Sequence, residues 1–291
     1  NIVDICFNSI SEILPQLITE YKNDKSRDFQ SEDCELLLLS ENRYFTFAII
    51  SEHDQFELLR EYKQSDEENF AEFHEKVLEI DPNLKKNFRR VEIGISNKRL
   101  ALVPGKIFNE GDSQHYLENS APIWSSDQIM VDTIEQSEIK VVYAFRHSIL
   151  SRYKHHFANA HTQNALTQYI KGLNKLLNKT TSEHNLFINA LYDTMYVVLY
   201  RNEELIFANV YEFSTAEDFL YYVMLIFKEF QLDQDTTPTY ISGKLDKDSI
   251  IHDLLMRYIR QLEFINTLST DNLNIPGIPA HLYFDLFSLR S

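Results

Sequence analysis

Residues 211–219 read YEFSTAEDF, and residues 62–70 read YKQSDEENF. Both fit Y-x-x-S-x-x-E-x-F, and they lie 149 positions apart (211 − 62). Upstream of the first copy, CELLLLS (34–40) is apolar, ENR is a polar turn, and YFTFAII (44–50) is aromatic and β-branched. EHD (52–54) turns again and FELLREY (56–62) follows, which is the composition and spacing of a three-stranded meander. The second copy repeats it with NLFINAL (185–191), YDT, MYVVLY (195–200), RNEE and LIFANVY (205–211).

After each meander the apolar spacing turns helical: Phe70, Phe73 and Val77 in the first copy, Phe219, Tyr222, Ile226 and Phe230 in the second. Ser65 and Ser214 are the expected N-caps, with Glu68 and Glu217 three residues on completing capping boxes. A loop and a short strand ending in glycine close each unit, RVEIG (90–94) and TYISG (239–243), so Gly94 and Gly243 keep the 149-residue offset. The chain therefore reads as a duplicated β-β-β-α-β unit of the α/β class. Two copies of so long a unit are not a solenoid.

The flanking segments complete this reading. KVVYAF (140–145) is a predicted strand, SILSRYKHHF (148–157) a helix, and NALTQYIKGLNKLL (164–177) an amphipathic helix. A further helix is predicted over 248–264. Residues 98–139, with the only tryptophan (Trp124), look like an irregular polar insertion, and SISEILPQLITEY (9–21) like a short helix. The expected divisions are an extension at 1–33, a first domain at 34–178 carrying that insertion, and a second at 184–291.

Composition excludes several classes. With 44% apolar residues, 20 Phe and 16 Tyr, the 291-residue chain can bury a core in each half. No apolar run is long enough to span a bilayer, and the first residues lack the pattern of a signal peptide. Two cysteines, Cys6 and Cys34, suit reduced thiols and a cytoplasmic location. A net charge of −16 disfavours nucleic acid, with one local exception. Residues 139–182 hold no Asp or Glu but seven cations, among them Lys154, Lys171 and Lys179, and His147, His155, His156 and His161. This stretch could receive an anion such as RNA, or sit between the halves and pair with the chain's own acids. His155 and His156 diverge by about 100° on a helix and do not suit one metal. P-loop, Rossmann, nucleophile-elbow and C-x-x-C signatures are all missing.

The order of RVEIGISNKRLALVPGKIF, KVVYAFRHSILSRYKHHFANA, NLFINALYDTMYVVLYRNEELIFANVY and FLYYVMLIFKEFQLDQDTTPTYISGKLDK resembles an uncharacterised family of Bacteroidota described as having an actin-like ATPase fold. The resemblance spans about 34–291. It implies two actin-like (ribonuclease H-like) domains and no defined activity. More distantly, the layout looks like the cytoplasmic actin-like proteins of type IV pilus and type II secretion assemblies. Proteins of the wider superfamily grip ATP phosphates with two hairpin turns, each normally Asp-x-Gly, and hold adenosine at a Gly-Gly after a strand. The corresponding turns here are Ser40-Glu41-Asn42-Arg43 and Tyr192-Asp193-Thr194, and neither contains glycine, whose bare backbone would let phosphates approach. At the third point Gly243 is followed by Lys244. Glu41 or Asp193 could hold a metal, but an Asp in a turn is ordinarily a turn former.

A degenerate nucleotide site at Asp193, Thr194, Ser242, Gly243 and Lys244 is thus expected, with no catalytic or metal-ligating set and no required cofactor, although ATP is possible. The favoured reading is a non-hydrolysing actin-like scaffold for a protein partner. The alternatives are a divergent ATP-binding enzyme and anion binding through 139–182.

Overall fold

The computed structural model describes residues 14–23, 29–65, 69–118, 120–177, 180, 182–265 and 278–291. Cys6, Glu68, Lys179 and the segments 1–13 and 266–277 lie outside the described residues.

The first meander is β2 (Glu35–Ser40), β3 (Tyr44–Ile50) and β4 (Phe56–Lys63), preceded by β1 (Gln16–Lys22). Helix α1 (Phe70–Ile80), β5 (Arg90–Ile95), α3 (His147–His156), β9 (Ala160–Asn164) and α4 (Ala165–Asn174) complete the first half. The second half is β10 (His184–Ala190), β11 (Thr194–Arg201), β12 (Glu204–Glu212), α5 (Ala216–Glu229), β13 (Thr239–Gly243), α6 (Ile250–Met256), β14 (Leu262–Phe264) and α7 (Phe284–Ser288). The first sheet runs β1-β4-β3-β2-β5-β9 and the second β12-β11-β10-β13-β14. Apart from β1 the two orders are the same. Each has an antiparallel meander whose first strand then pairs in parallel with the strand after the helix, and that strand pairs in parallel with one more. The duplication thus extends beyond β-β-β-α-β to a fifth strand in each sheet.

β2 and β10 are apolar runs because both faces of each are buried. One face of β10, with Phe187, packs in the large core that joins the halves. The other, with Leu186 and Ile188, packs on Phe219, Val223 and Phe227 of α5. α4 follows β9 and α7 follows β14, so these helices are counterparts, and they pack on each other at the midline. A Cβ on Gly172 of α4 would stand 2.3 Å from Ser288 Oγ, so glycine permits this crossing.

Several local expectations are corrected. Residues 98–139 are not irregular: β6 (Leu100–Pro104), β7 (Asp127–Ile134) and β8 (Ile139–Arg146) form a third sheet, ordered β6-β8-β7, with α2 (Ser113–Glu118) against it. β7 has a polar look because its side chains are mostly half-buried. Residues 16–22 form a strand rather than a helix, because β4 offers them an antiparallel edge. The predicted helix over 248–264 ends at Met256, and 262–264 pairs with β13.

The caps differ too. Asn69, not Ser65, caps α1, its side chain accepting from the N–H groups of Ala71 and Glu72. Thr215, not Ser214, caps α5, in a capping box with Asp218, whose carboxylate also accepts from the Ser214 and Thr215 N–H groups. Tyr62 and Tyr211 do hold equivalent strand positions, opposite Phe45 and Met195. The helix caps, however, are 146 apart (215 − 69). The first link is three residues longer, so the Ser and Glu of the two motifs are not equivalent. Replacing Thr215 by Ala should therefore destabilise the protein by about 1 kcal/mol, whereas Ser214→Ala should change the urea midpoint little. The reverse ranking would restore Ser214 as the cap.

Candidate functional site

The two hairpin turns face each other at the midline. In the first, Glu41 N–H donates to Tyr44 O at 3.0 Å; in the second, Leu191 N–H donates to Thr194 O at 2.8 Å. The first turn is held from beneath by a buried polar network. His74 of α1 lies 3.1 Å through Nε2 from the Glu41 carbonyl and 2.7 Å through Nδ1 from the Tyr153 hydroxyl, which is 3.0 Å from Ser40 Oγ. A carbonyl only accepts, so Nε2 carries the proton and Nδ1 is left as an acceptor. Burial lowers the His74 pKa to about 3, which keeps the ring neutral.

A histidine that resists protonation when folded, but not when unfolded, contributes stability that is complete above the unfolded value of about 6.5 and lost as pH falls toward 3. The stability advantage of the wild type over His74→Gln should shrink as pH drops below about 6.5, read as converging urea midpoints. A constant difference would contradict a neutral buried ring.

Between the turns the space is filled by side chains. Tyr44, at the start of β3, stacks on Tyr192 of the second turn with centroids 3.9 Å apart and planes at 15°. Behind this stack lies Glu61 of β4, buried, with both carboxylate oxygens engaged. Oε1 is 2.5 Å from Lys244 Nζ and accepts from Thr46 Oγ1 at 3.3 Å. Oε2 accepts from the hydroxyls of Tyr283 at 2.9 Å and Tyr192 at 3.4 Å. The Lys244 ammonium also lies 3.5 Å from the Tyr283 ring centroid. Two more buried carboxyls, Glu41 and Asp285, adjoin this pair. Burial and the Asp285 charge push the Glu41 carboxyl well above the usual carboxylate range, against the pull of Lys244. Burial likewise raises Asp285. The Lys244 ammonium is thus already engaged by a buried carboxylate and is not free to meet the phosphates of a nucleotide.

The residues expected to form a degenerate nucleotide site are divided between two places. Asp193 and Thr194 line a cavity of about 210 Å³ on the side of the third sheet. Ser242 is buried, bonded to Tyr169 OH at 3.0 Å and Asn189 Oδ1 at 2.8 Å. Gly243 is left-handed (φ 87°) and abuts Ala190, and Lys244 faces Glu61. A larger groove of about 1080 Å³ is lined by Lys244, Asp246, Lys247, His252, Phe264 and His281 among others, and neither turn reaches it. Sequence reasoning missed Glu61, Tyr44, Tyr283 and Asp285. Glu61 carried no signal: with Glu57 and Lys63 it lies on the face of β4 that alternation assigns to solvent, opposite the Phe56, Leu58 and Tyr62 face, and its burial comes from the other half of the chain.

The basic stretch spreads over β8, α3, β9 and α4 and largely meets the chain's own groups. Arg152 pairs with Glu75 at 2.6 Å and His161 with Glu92 at 2.9 Å, while His156 bonds the Leu84 carbonyl and His147 bonds Gln128 and Ser151. Among the described residues, no three His, Cys, Asp or Glu side chains come together as metal ligands. Nor is any described helix long and apolar enough to cross a membrane.

Residues 23–262 match the family described as "Protein of unknown function (DUF3822)", and the chain belongs to that family. No curated protein matches it. Among solved structures, a Bacteroides thetaiotaomicron protein with an actin-like ATPase fold and unknown function superposes with a TM-score of 0.78 at 17% identity, covering 91% of this chain and 99% of that one. A chain of the PilM-PilN type IV pilus biogenesis complex superposes at 0.60 with 12% identity, covering 90% and 98%. The fold is therefore actin-like, with two duplicated domains, and the family has no established function.

Proposed function

We propose that the protein is a cytoplasmic, non-hydrolysing actin-like body that serves as a platform for another protein. Its two domains are taken as 34–178 and 184–291, with β1 of the preceding segment joined to the first sheet. The observation that carries the reading is the Glu61–Lys244 pair. It stands between the turns with Glu41 and Asp285 beside it and the Tyr44–Tyr192 stack closing it off. For Asp193, Thr194, Ser242, Gly243 and Lys244 to bind ATP, Lys244 would first have to leave Glu61, at the cost of an unpaired buried carboxylate. A protein partner is supported by the neighbour that occurs in a complex of two pilus-biogenesis proteins. Incubated with Mg-ATP, the protein should release phosphate no faster than buffer does. Turnover that Lys244→Met abolishes would establish the ATPase alternative instead.

A further inference from the structure

The cavity of about 210 Å³ lies where the first sheet, the third sheet and the second half meet. At about 30 Å³ per water it has room for roughly seven waters, below the roughly 300 Å³ at which ordinary ligand pockets begin. That size suits a single ring with a small substituent rather than a whole nucleotide.

Its walls carry aromatic rings and charges of both signs. Phe70 of α1, Phe145 of β8 and Trp124 supply the rings, and Lys98, Arg99 and Arg146 the cations. Two of the cations are already neutralised. Lys98 pairs with Glu212 across the two halves, and Arg99 holds Asp127 with both terminal nitrogens, at 2.5 and 3.3 Å. Asp127 also accepts from the backbone N–H of Trp124 at 2.9 Å, and the Arg99 guanidinium lies 4.3 Å from the Trp124 ring centroid. The only tryptophan of the chain is thus fixed in place although half-exposed.

Arg146 sits opposite Asp127 in the β7–β8 pairing, but that carboxylate is turned to Arg99. Among the described residues Arg146 has no acidic partner, and its guanidinium lies 5.6 Å from the Phe70 ring centroid. Two acids besides Glu212 line the cavity, Asp193 of the second half's turn and Glu41 of the first half's, and burial holds the Glu41 carboxyl well above the usual carboxylate range.

We propose that this cavity binds a small flat anion, an aromatic carboxylate whose carboxylate takes the planar fork of Arg146 and whose ring lies among Phe70, Phe145 and Trp124. Arginine suits this because its paired N–H groups match a carboxylate. The site is independent of the platform reading and stands or falls separately.

With one tryptophan in the chain, intrinsic fluorescence reports on the site directly. Benzoate titrated into the full chain at millimolar concentrations should change Trp124 emission saturably. Benzyl alcohol, which keeps the ring, and acetate, which keeps the charge, should each bind at least tenfold more weakly. Arg146→Gln, with an unchanged urea midpoint, should weaken benzoate at least tenfold. Should that variant not fold, Arg146→Lys keeps the charge without the fork and should weaken it several-fold. No saturable benzoate signal, equal response to acetate, or unchanged affinity in the folded Arg146 variant would overturn the proposal.

Discussion

Replacing Lys244 by Met should lower the unfolding free energy by about 3–5 kcal/mol, the usual consequence of removing one partner of a buried pair. The methionine fills much of the lysine stem's volume, so the loss is electrostatic rather than a cavity effect. Glu61 keeps the hydroxyls of Thr46, Tyr192 and Tyr283, but the charge that offsets its buried carboxylate is gone. Burial raises the Glu41 and Asp285 carboxyls and Lys244 opposes it, so without Lys244 these two hold protons more tightly in the folded state than in the unfolded one. The deficit should therefore shrink as pH falls through the carboxylate range. The double variant Lys244→Met/Glu61→Gln should recover a large part of the loss, because the residues of one pair do not act additively. Urea unfolding of the four proteins measures this cycle. Additive single effects would mean that Glu61 and Lys244 do not depend on each other.

Gly243→Ala is the second large effect, about 3 kcal/mol or more. Two causes combine: a left-handed backbone that disfavours any Cβ, and a steric overlap that nothing flexible can relieve. The new Cβ would stand 2.0 Å from the Ala190 carbonyl oxygen, and that oxygen accepts from Lys244 N–H at 2.6 Å. Relief requires β10 and β13 to separate at the second turn, displacing Lys244 from Glu61. Gly94→Ala, at the matching sequence offset, should cost less. Its Cβ would meet Leu289 Cδ2 at 2.6 Å, the end of a side chain that can rotate away. Thermal unfolding of both variants decides the order, and equal losses would contradict the account.

These two glycines show how far the sequence was legible. Both stand at 149-residue spacing and both end an apolar strand motif, which was enough to find the duplication. In the sheets Gly94 pairs with Leu39, and β5 runs on to Ile95, whereas Gly243 pairs with Ala190 at the end of its strand. Their environments differ although their spacing agrees. The two meanders were readable because β2, β3, β10 and β11 are continuous apolar runs bounded by polar turns. The third sheet was not, because β7 is half-buried and carries polar residues along its length. Glycine-free turns pointed to a site unlike that of an actin-like ATPase. What fills the midline was hidden, because Glu61, Lys244 and Tyr283 come from segments separated by up to 222 residues and meet only in the folded chain.

The most direct test of the central claim, that the Glu61–Lys244 pair and the stacked tyrosines stand where a nucleotide would, is thermal unfolding of the intact chain with millimolar Mg-ATP and Mg-ADP. A ligand at 100 times its dissociation constant adds about 2.7 kcal/mol to the folded state, a shift of several degrees. The account predicts no shift with either nucleotide. A shift of that size that grows with nucleotide concentration and disappears in Lys244→Met would contradict it.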